Sequence, residues 1–232
     1  MSYFGVLNFR LKMKINNFLL LVFSPLLMHA QPTQKSDFTA QEIELIQSGT
    51  AEDPMRVLLT TNEDDLAFLT QQAQPINPNS ENLQLLADRM LTTVNDPKTR
   101  GVGIAAPQVG ISRQAFLVKR LDKINAPFEL FINPKITWYS DVKRYGQEGC
   151  LSIPDQTGKV YRSLVIQIEY CDLEGNEHKE VIEGYTAVIC QHEYDHLNGV
   201  LFLDQIERSE GFNYAKSETK NALYYELLPP TP

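Results

Sequence analysis

The chain has little that would staple it, anchor it or repeat it. Its 232 residues include three cysteines. That number excludes a scaffold of several disulfides and leaves at least one thiol unpaired. No segment repeats, so solenoids and propellers are excluded. The most apolar stretch, residues 18–28, has 11 residues, well short of the roughly 20 that a stable membrane span needs. Lys and Arg number 21 against 29 Asp and Glu, a net charge of −8. The basic residues form no cluster and no stacked aromatic face, which excludes a nucleic-acid partner. The acidic excess reads as a solvated surface. A phosphate loop is missing as well, because Gly101-Val102-Gly103 is followed by neither Lys-Ser/Thr nor a third spaced glycine. Histidine is scarce, with four in all, yet two of them fall within one short stretch.

That stretch is His192-Glu193-Tyr194-Asp195-His196. On an α-helix, positions i and i+4 lie on one face about one turn apart. Two neutral imidazoles so placed can grip one divalent metal, and Glu193 can reach a water on it. The run Tyr185-Thr186-Ala187-Val188-Ile189-Cys190-Gln191 just before it is largely apolar, so the helix is expected to be buried. The competing reading is a pair of hydrogen-bonded core histidines.

A metal needs a third protein ligand, and its source decides the enzyme class. A His-x-x-Gly-x-x-His continuation fails here, because Phe202 stands where the third His must be. A downstream glutamate, such as Glu207, Glu210 or Glu218, has only 36 residues of chain around it after His196. Upstream lies Glu148-Gly149-Cys150-Leu151-Ser152, whose thiolate suits iron(II) or zinc. Further upstream, Gly101-Val102-Gly103-Ile104-Ala105-Ala106-Pro107-Gln108 is a thin-walled segment against which a ligand can lie. The plain alternative for it is a tight turn before a helix.

Taken together and in this order, the three segments resemble peptide deformylase. The family motifs are a Gly-x-Gly-hydrophobic-Ala-Ala-x-Gln loop, a Glu-Gly-Cys-Leu-Ser strand and a His-Glu-x-x-Asp-His helix. All three are intact, and the resemblance runs from about Asp53 to Glu207. It implies a hydrolase that removes the formyl group from N-formyl-methionyl peptides or protein N-termini, releasing formate. It implies that Cys150, His192 and His196 hold one metal per chain, leaving the fourth position to water. Iron(II) (Fe2+) is the expected metal, with Zn2+, Ni2+ or Co2+ as alternatives. The metal-bound water would attack the formyl carbon, with Glu193 as general base and then acid. Gln108 and the backbone N–H of Leu151 would stabilise the oxyanion. The family often carries Arg where this chain has Thr157, so one positive group near the substrate entrance is expected to be missing. Arg162 is expected to pair with Glu148.

Substrate contacts follow in part from spacing. Val188 and Ile189 lie four and three residues before His192, and Tyr185 is a further turn back. With Val102 opposite, they are candidates for the methionine pocket and equally for ordinary core. The peptide main chain would run along Val102-Gly103 and Gly149 as an added strand.

The remaining chain fits an α+β domain, with small mixed sheets packed around the central metal-binding helix. Apolar residues at Leu83, Leu86, Ala87, Met90, Leu91 and Val94 predict a helix capped by Asn79 or Ser80 and ended by Pro97. Residues 114–119, 128–132 and 164–170 read as strands, and 172–176 as a hairpin turn. Gly199 is a natural stop for the metal helix. The expected domains are a signal peptide at 1–30, a linker at 31–52, the catalytic domain at 53–208 and a tail at 209–232. Arg10, Lys12 and Lys14 before the short apolar stretch, and Ala30 after it, predict export, with a cytoplasmic enzyme as the alternative. Met13 is a second possible start. A monomer is expected. Cys171 and Cys190 are read as buried thiols, with a disulfide left open. Two further functions remain at this point: a metallopeptidase using a downstream Glu, and a non-catalytic binding protein.

Overall fold

A computed structural model of the protein describes residue 1, residues 37–209 and the strands Tyr214–Lys216 and Tyr224–Leu227. The leader and its cleavage point lie outside the described residues, as do Glu210 and Glu218. From residue 37 onward, the description falls in one unit, Lys35–Pro232.

Three helices come first: α1 (Ala40–Gln47), α2 (Glu63–Leu69) and α3 (Leu83–Asn95). The spacing of Leu83, Leu86, Ala87, Met90 and Val94 gives α3 one buried face, as expected. Leu91 is exposed instead, at the margin of that stripe. The cap also differs from expectation. Asn82 is the N-cap and makes no side-chain cap bond. The Ser80 hydroxyl is engaged elsewhere, donating to Asp37 Oδ1 at 2.6 Å.

The expected linker at 31–52 is corrected by α1. Thr39 and Glu42 form a capping box, which fixes the helix start. Ile46 is fully buried, and Phe38 and Met55 join the same core. The segment folds because it has an apolar face to bury and a buried ion pair to hold it. Arg113 Nη2 meets Glu42 Oε2 at 2.8 Å.

The strands are β1 (Gly103–Ala105), β2 (Ala115–Lys119), β3 (Phe128–Tyr139), β4 (Lys143–Cys150), β5 (Ile153–Ser163), β6 (Val165–Cys171) and β7 (Glu177–Glu183). Helices α4 (Gly184–Leu197) and α5 (Phe202–Ser209) follow, then β8 (Tyr214–Lys216) and β9 (Tyr224–Leu227). One sheet has the order β1-β2-β3-β6-β7, the other β5-β4-β9-β8. Both are antiparallel in every ladder, where mixed sheets were expected. The expected tail therefore contributes β9, which pairs with β4 at Lys143 and Arg144.

Strands β1 and β2 of the larger sheet are buried on both faces. Ala115 and Leu117 of β2 face one core with Leu86 and Met90 of α3. Phe116 and Val118 face a second core with Ala187, Ile189 and Cys190 of α4. Alternation along one strand thus feeds two layers. It also explains why the strand reads as a continuous apolar run. Gly199, at φ 66°, follows the C-cap Asn198 of α4 as expected. All three cysteines are free thiols. Among the described residues, no helix is long and apolar enough to cross a membrane.

Glu42→Ala should remove the capping box and leave Arg113 buried without its carboxylate. The expected loss is about 3–5 kcal/mol, read as a lower urea midpoint at unchanged slope.

Candidate active site

Two elements meet to make the site. β4 ends at Cys150, and Glu148 lies two residues earlier on the same face of the strand. α4 presents His192, Glu193 and His196 toward that end. Ligand atoms of Cys150, His192 and His196 all lie within 4.8 Å of one another. Cys150 Sγ is 3.2 Å from His196 Nε2. Among the described residues, no downstream glutamate joins this group. Glu207 is exposed on α5, and Phe202 is buried with its ring 6.3 Å from that of His192.

Behind the ligands runs a chain of charges. His192 Nδ1 donates to Glu148 Oε2 at 3.0 Å, which directs Nε2 toward Cys150. Arg162 of β5 grips Glu148 through Nε and Nη2, at 2.9 and 3.0 Å. Its Nη1 donates to Asp195 Oδ2 at 2.5 Å. Gln205 of α5 donates to the same oxygen at 2.9 Å. The expected Arg162–Glu148 pair is present. The further reach to Asp195 was missed.

The third wall comes from the glycine segment. Gln108 sits in a short 3-10 helix, Ala106–Val109. Its Oε1 accepts from the backbone N–H of Ala105 at 2.9 Å. That bond leaves the amide N–H groups turned to the site, with Nε2 3.5 Å from Cys150 Sγ and 3.3 Å from Ser152 Oγ. Gly103 is required by its neighbours. A Cβ there would collide with Glu193 Oε1 and lie 2.9 Å from Ile189 Cγ2.

Burial sets the electrostatics. It pushes the Glu193 carboxyl up to about 7, against the pull of His192 and His196. Burial alone would also raise Glu148, but bonds from His192 and Arg162 hold it at about 2. The Cys150 thiol stays well below its ordinary value. Burial opposes this, and His196 and His192 overcome it. A thiolate beside two imidazoles is the donor set that a borderline divalent cation takes. Two buried atoms, Glu193 Oε2 and His196 Nδ1, have no hydrogen-bond partner among the described residues. Buried polar atoms are rarely left so; a further polar group beside the three side chains would answer Glu193 Oε2, whereas His196 Nδ1 lies on the ring edge away from the Nε2 that faces Cys150. The residues fit a metal.

A cleft of about 310 Å³ opens onto these groups. Val102, Gly103, Gly149, Tyr185, Val188 and Ile189 all line it, as do Gln108, Leu151 and Glu193. Val188 and Ile189 are buried, while Val102 and Tyr185 are exposed at the mouth. Arg100 also lines the cleft, so the cleft has a positive group although Thr157 stands where one was expected. Sequence reasoning missed Arg100 and Gln147 here.

A family model described as polypeptide deformylase matches residues 56–211. The chain belongs to the polypeptide deformylase family. The peptide deformylase of Zymomonas mobilis is 38% identical over 149 residues, spanning 60% of this chain and 81% of that protein. That of Thermotoga petrophila is 41% identical over 138 residues, spanning 60% and 80%. Among solved structures, the Thermotoga maritima peptide deformylase aligns with TM-score 0.59 at 35% identity, covering 66% of this chain and 97% of that one. The actinonin-bound class I type b peptide deformylase of Acinetobacter baumannii gives TM-score 0.58 at 36% identity, covering 66% and 98%. The activity is therefore that of a peptide deformylase, hydrolysis of N-formyl peptides. The α+β fold is that of the deformylases.

Glu148 and Asp195 had signals in the sequence. Glu148 shares a strand face with Cys150, and Asp195 is a carboxylate inside a buried helix that needs a cation. Glu148→Gln should weaken the hold on His192 and lower metal affinity about 10- to 100-fold, measured by competition with a chelator.

Proposed function

We propose that Cys150, His192 and His196 hold one divalent metal, iron(II) by preference and zinc as the alternative, and that this site removes the formyl group from formyl-methionyl peptides. When bound, the metal supplies a Lewis acid that lowers the pKa of a water to about 7. The observation that carries the reading is the convergence of three ligand atoms, a buried unpartnered carboxylate and a fixed amide donor on one cleft.

Each residue then has one task. Glu193 accepts a proton as water adds to the formyl carbon. It gives that proton to the amine as the C–N bond breaks, so that formate and a free amino terminus leave. Burial raises this carboxyl above its ordinary value, which favours transfer in both directions. Gln108 donates through its amide to the oxygen that becomes negative, with the backbone N–H of Leu151 as a second donor. Losing one such donor costs on the order of 3 kcal/mol in the barrier. Val102, Tyr185, Val188 and Ile189 take the methionine side chain.

The peptide main chain lies along Gly103 and Gly149. Among the described residues, β1 is an edge strand and β9 covers β4 at Lys143 and Arg144 alone. Both are open to an added strand.

Glu193→Ala should keep the metal and lose most turnover, whereas Cys150→Ser should lose the metal as well, because a hydroxyl is a far less acidic ligand. Metal content and formate release from formyl-Met-Ala, measured on both variants, separate the two roles. Full turnover in Glu193→Ala would remove it from proton transfer.

We also read residues 1–30 as an export signal, with the catalytic domain at 53–208 extended by α1. The basic residues before a short apolar core support this. Phe38 and Ile46 lie in the core, so cleavage before Gln31 spares every described core residue. N-terminal sequencing of protein from its native cell should begin near Gln31; an intact leader on active enzyme would end the export reading.

A further inference from the structure

Two arginines beside the cleft have no carboxylate partner among the described residues. Arg100 lines the cleft just before Gly101. Arg144, on β4, stacks over Tyr185, with Cζ 5.0 Å from the ring centroid. Tyr185 lines the same cleft and is 45% exposed. The position of Arg144 depends on Gly146. A Cβ at Gly146 would lie 2.6 Å from Arg144 Nη1 and 2.7 Å from its Cζ. The guanidinium therefore occupies room that the glycine leaves, on the strand face that also carries Glu148. Arg162, by contrast, is fully committed to Glu148 and Asp195.

We propose that Arg144 and Arg100 recognise a carboxylate on the substrate just beyond the formyl-methionine. The inference rests on the deformylase reading above and deepens it, by naming the substrate class. A guanidinium held on an aromatic face is partly pre-organised, so less freedom is lost when it binds. Its planar fork suits a carboxylate. The chain as a whole carries a net charge of −8, so an acidic peptide is repelled by most of the surface and attracted only where positive charge is concentrated. The carboxylate has two sources, the free C-terminus of a short formyl peptide and an acidic side chain at the second position. Both present the same group. Because it lies away from the reacting atoms, it should act on ground state and transition state alike, lowering KM more than it raises kcat.

The test uses the full-length, metal-loaded protein and three substrates: formyl-Met-Ala with a free carboxylate, its C-terminal amide, and formyl-Met-Glu amide. Formate release should give a kcat/KM about tenfold higher for a charged peptide than for the neutral amide, with most of the difference in KM. Whichever charged peptide is favoured names the source. In the Arg100→Gln plus Arg144→Gln double variant the ratio should fall to about one, and high salt should shrink it in the native protein. Gly146→Ala should lower the ratio too, by displacing the guanidinium while both arginines remain. Equal kcat/KM on charged and neutral peptides, or a preference intact in the double variant, would overturn the carboxylate site alone. Failure to cleave any of the three would overturn the deformylase reading and this inference with it.

Discussion

Arg162 donates to Glu148 on β4 and to Asp195 on α4, and so fastens the strand bearing Cys150 to the helix bearing His192 and His196. Without it, two carboxylates would face each other in a region of low polarity. With it, Glu148 stays ionised and accepts a hydrogen bond from His192 Nδ1. The orientation of a ligand thus depends on a cation that never touches the reacting atoms. A single ion pair would leave one element free to shift. A guanidinium bound on two sides fixes both.

The larger sheet supplies the platform. Because β2 is buried on both faces, α3 and α4 lie on opposite sides of one rigid layer. Its edge strand, β1, carries Gly103 against Glu193, and the missing Cβ lets the carboxylate sit close to the backbone where a peptide would lie. The second sheet brings Cys150 up to α4 from another direction. The active centre is a junction of two sheets, one helix and the short 3-10 turn that carries Gln108.

Much of this was legible in the sequence, and the exceptions have physical causes. The motif on α4, the thiolate on β4 and the Gln108 segment each carry chemistry that few residue types can supply, so they stand out unaided. The core strands were legible for the opposite reason, as apolar runs between turn residues. β5 was not, because Ile153–Ser163 mixes polar and apolar residues along a partly exposed face and only pairing with β4 makes it a strand. α1 was read as linker because eight residues make a weak periodic signal, and its stability comes from Arg113, which is 71 positions away. The cap of α3 was misplaced because a serine that could cap also had a better partner in Asp37. Long-range partners decided each of these cases, and one local window does not contain them.

The groups at the centre are far apart along the chain. Gln108 meets Cys150 across 42 positions, and Cys150 meets His196 across 46. Contacts so distant form late, once the intervening strands have paired. Neither sheet alone carries all the groups, and a nascent chain that has not yet reached His196 lacks one of the three clustered side chains outright. Catalytic competence is consequently all-or-none in time as well as in space. A chain still being made, or still unfolded, cannot deformylate anything.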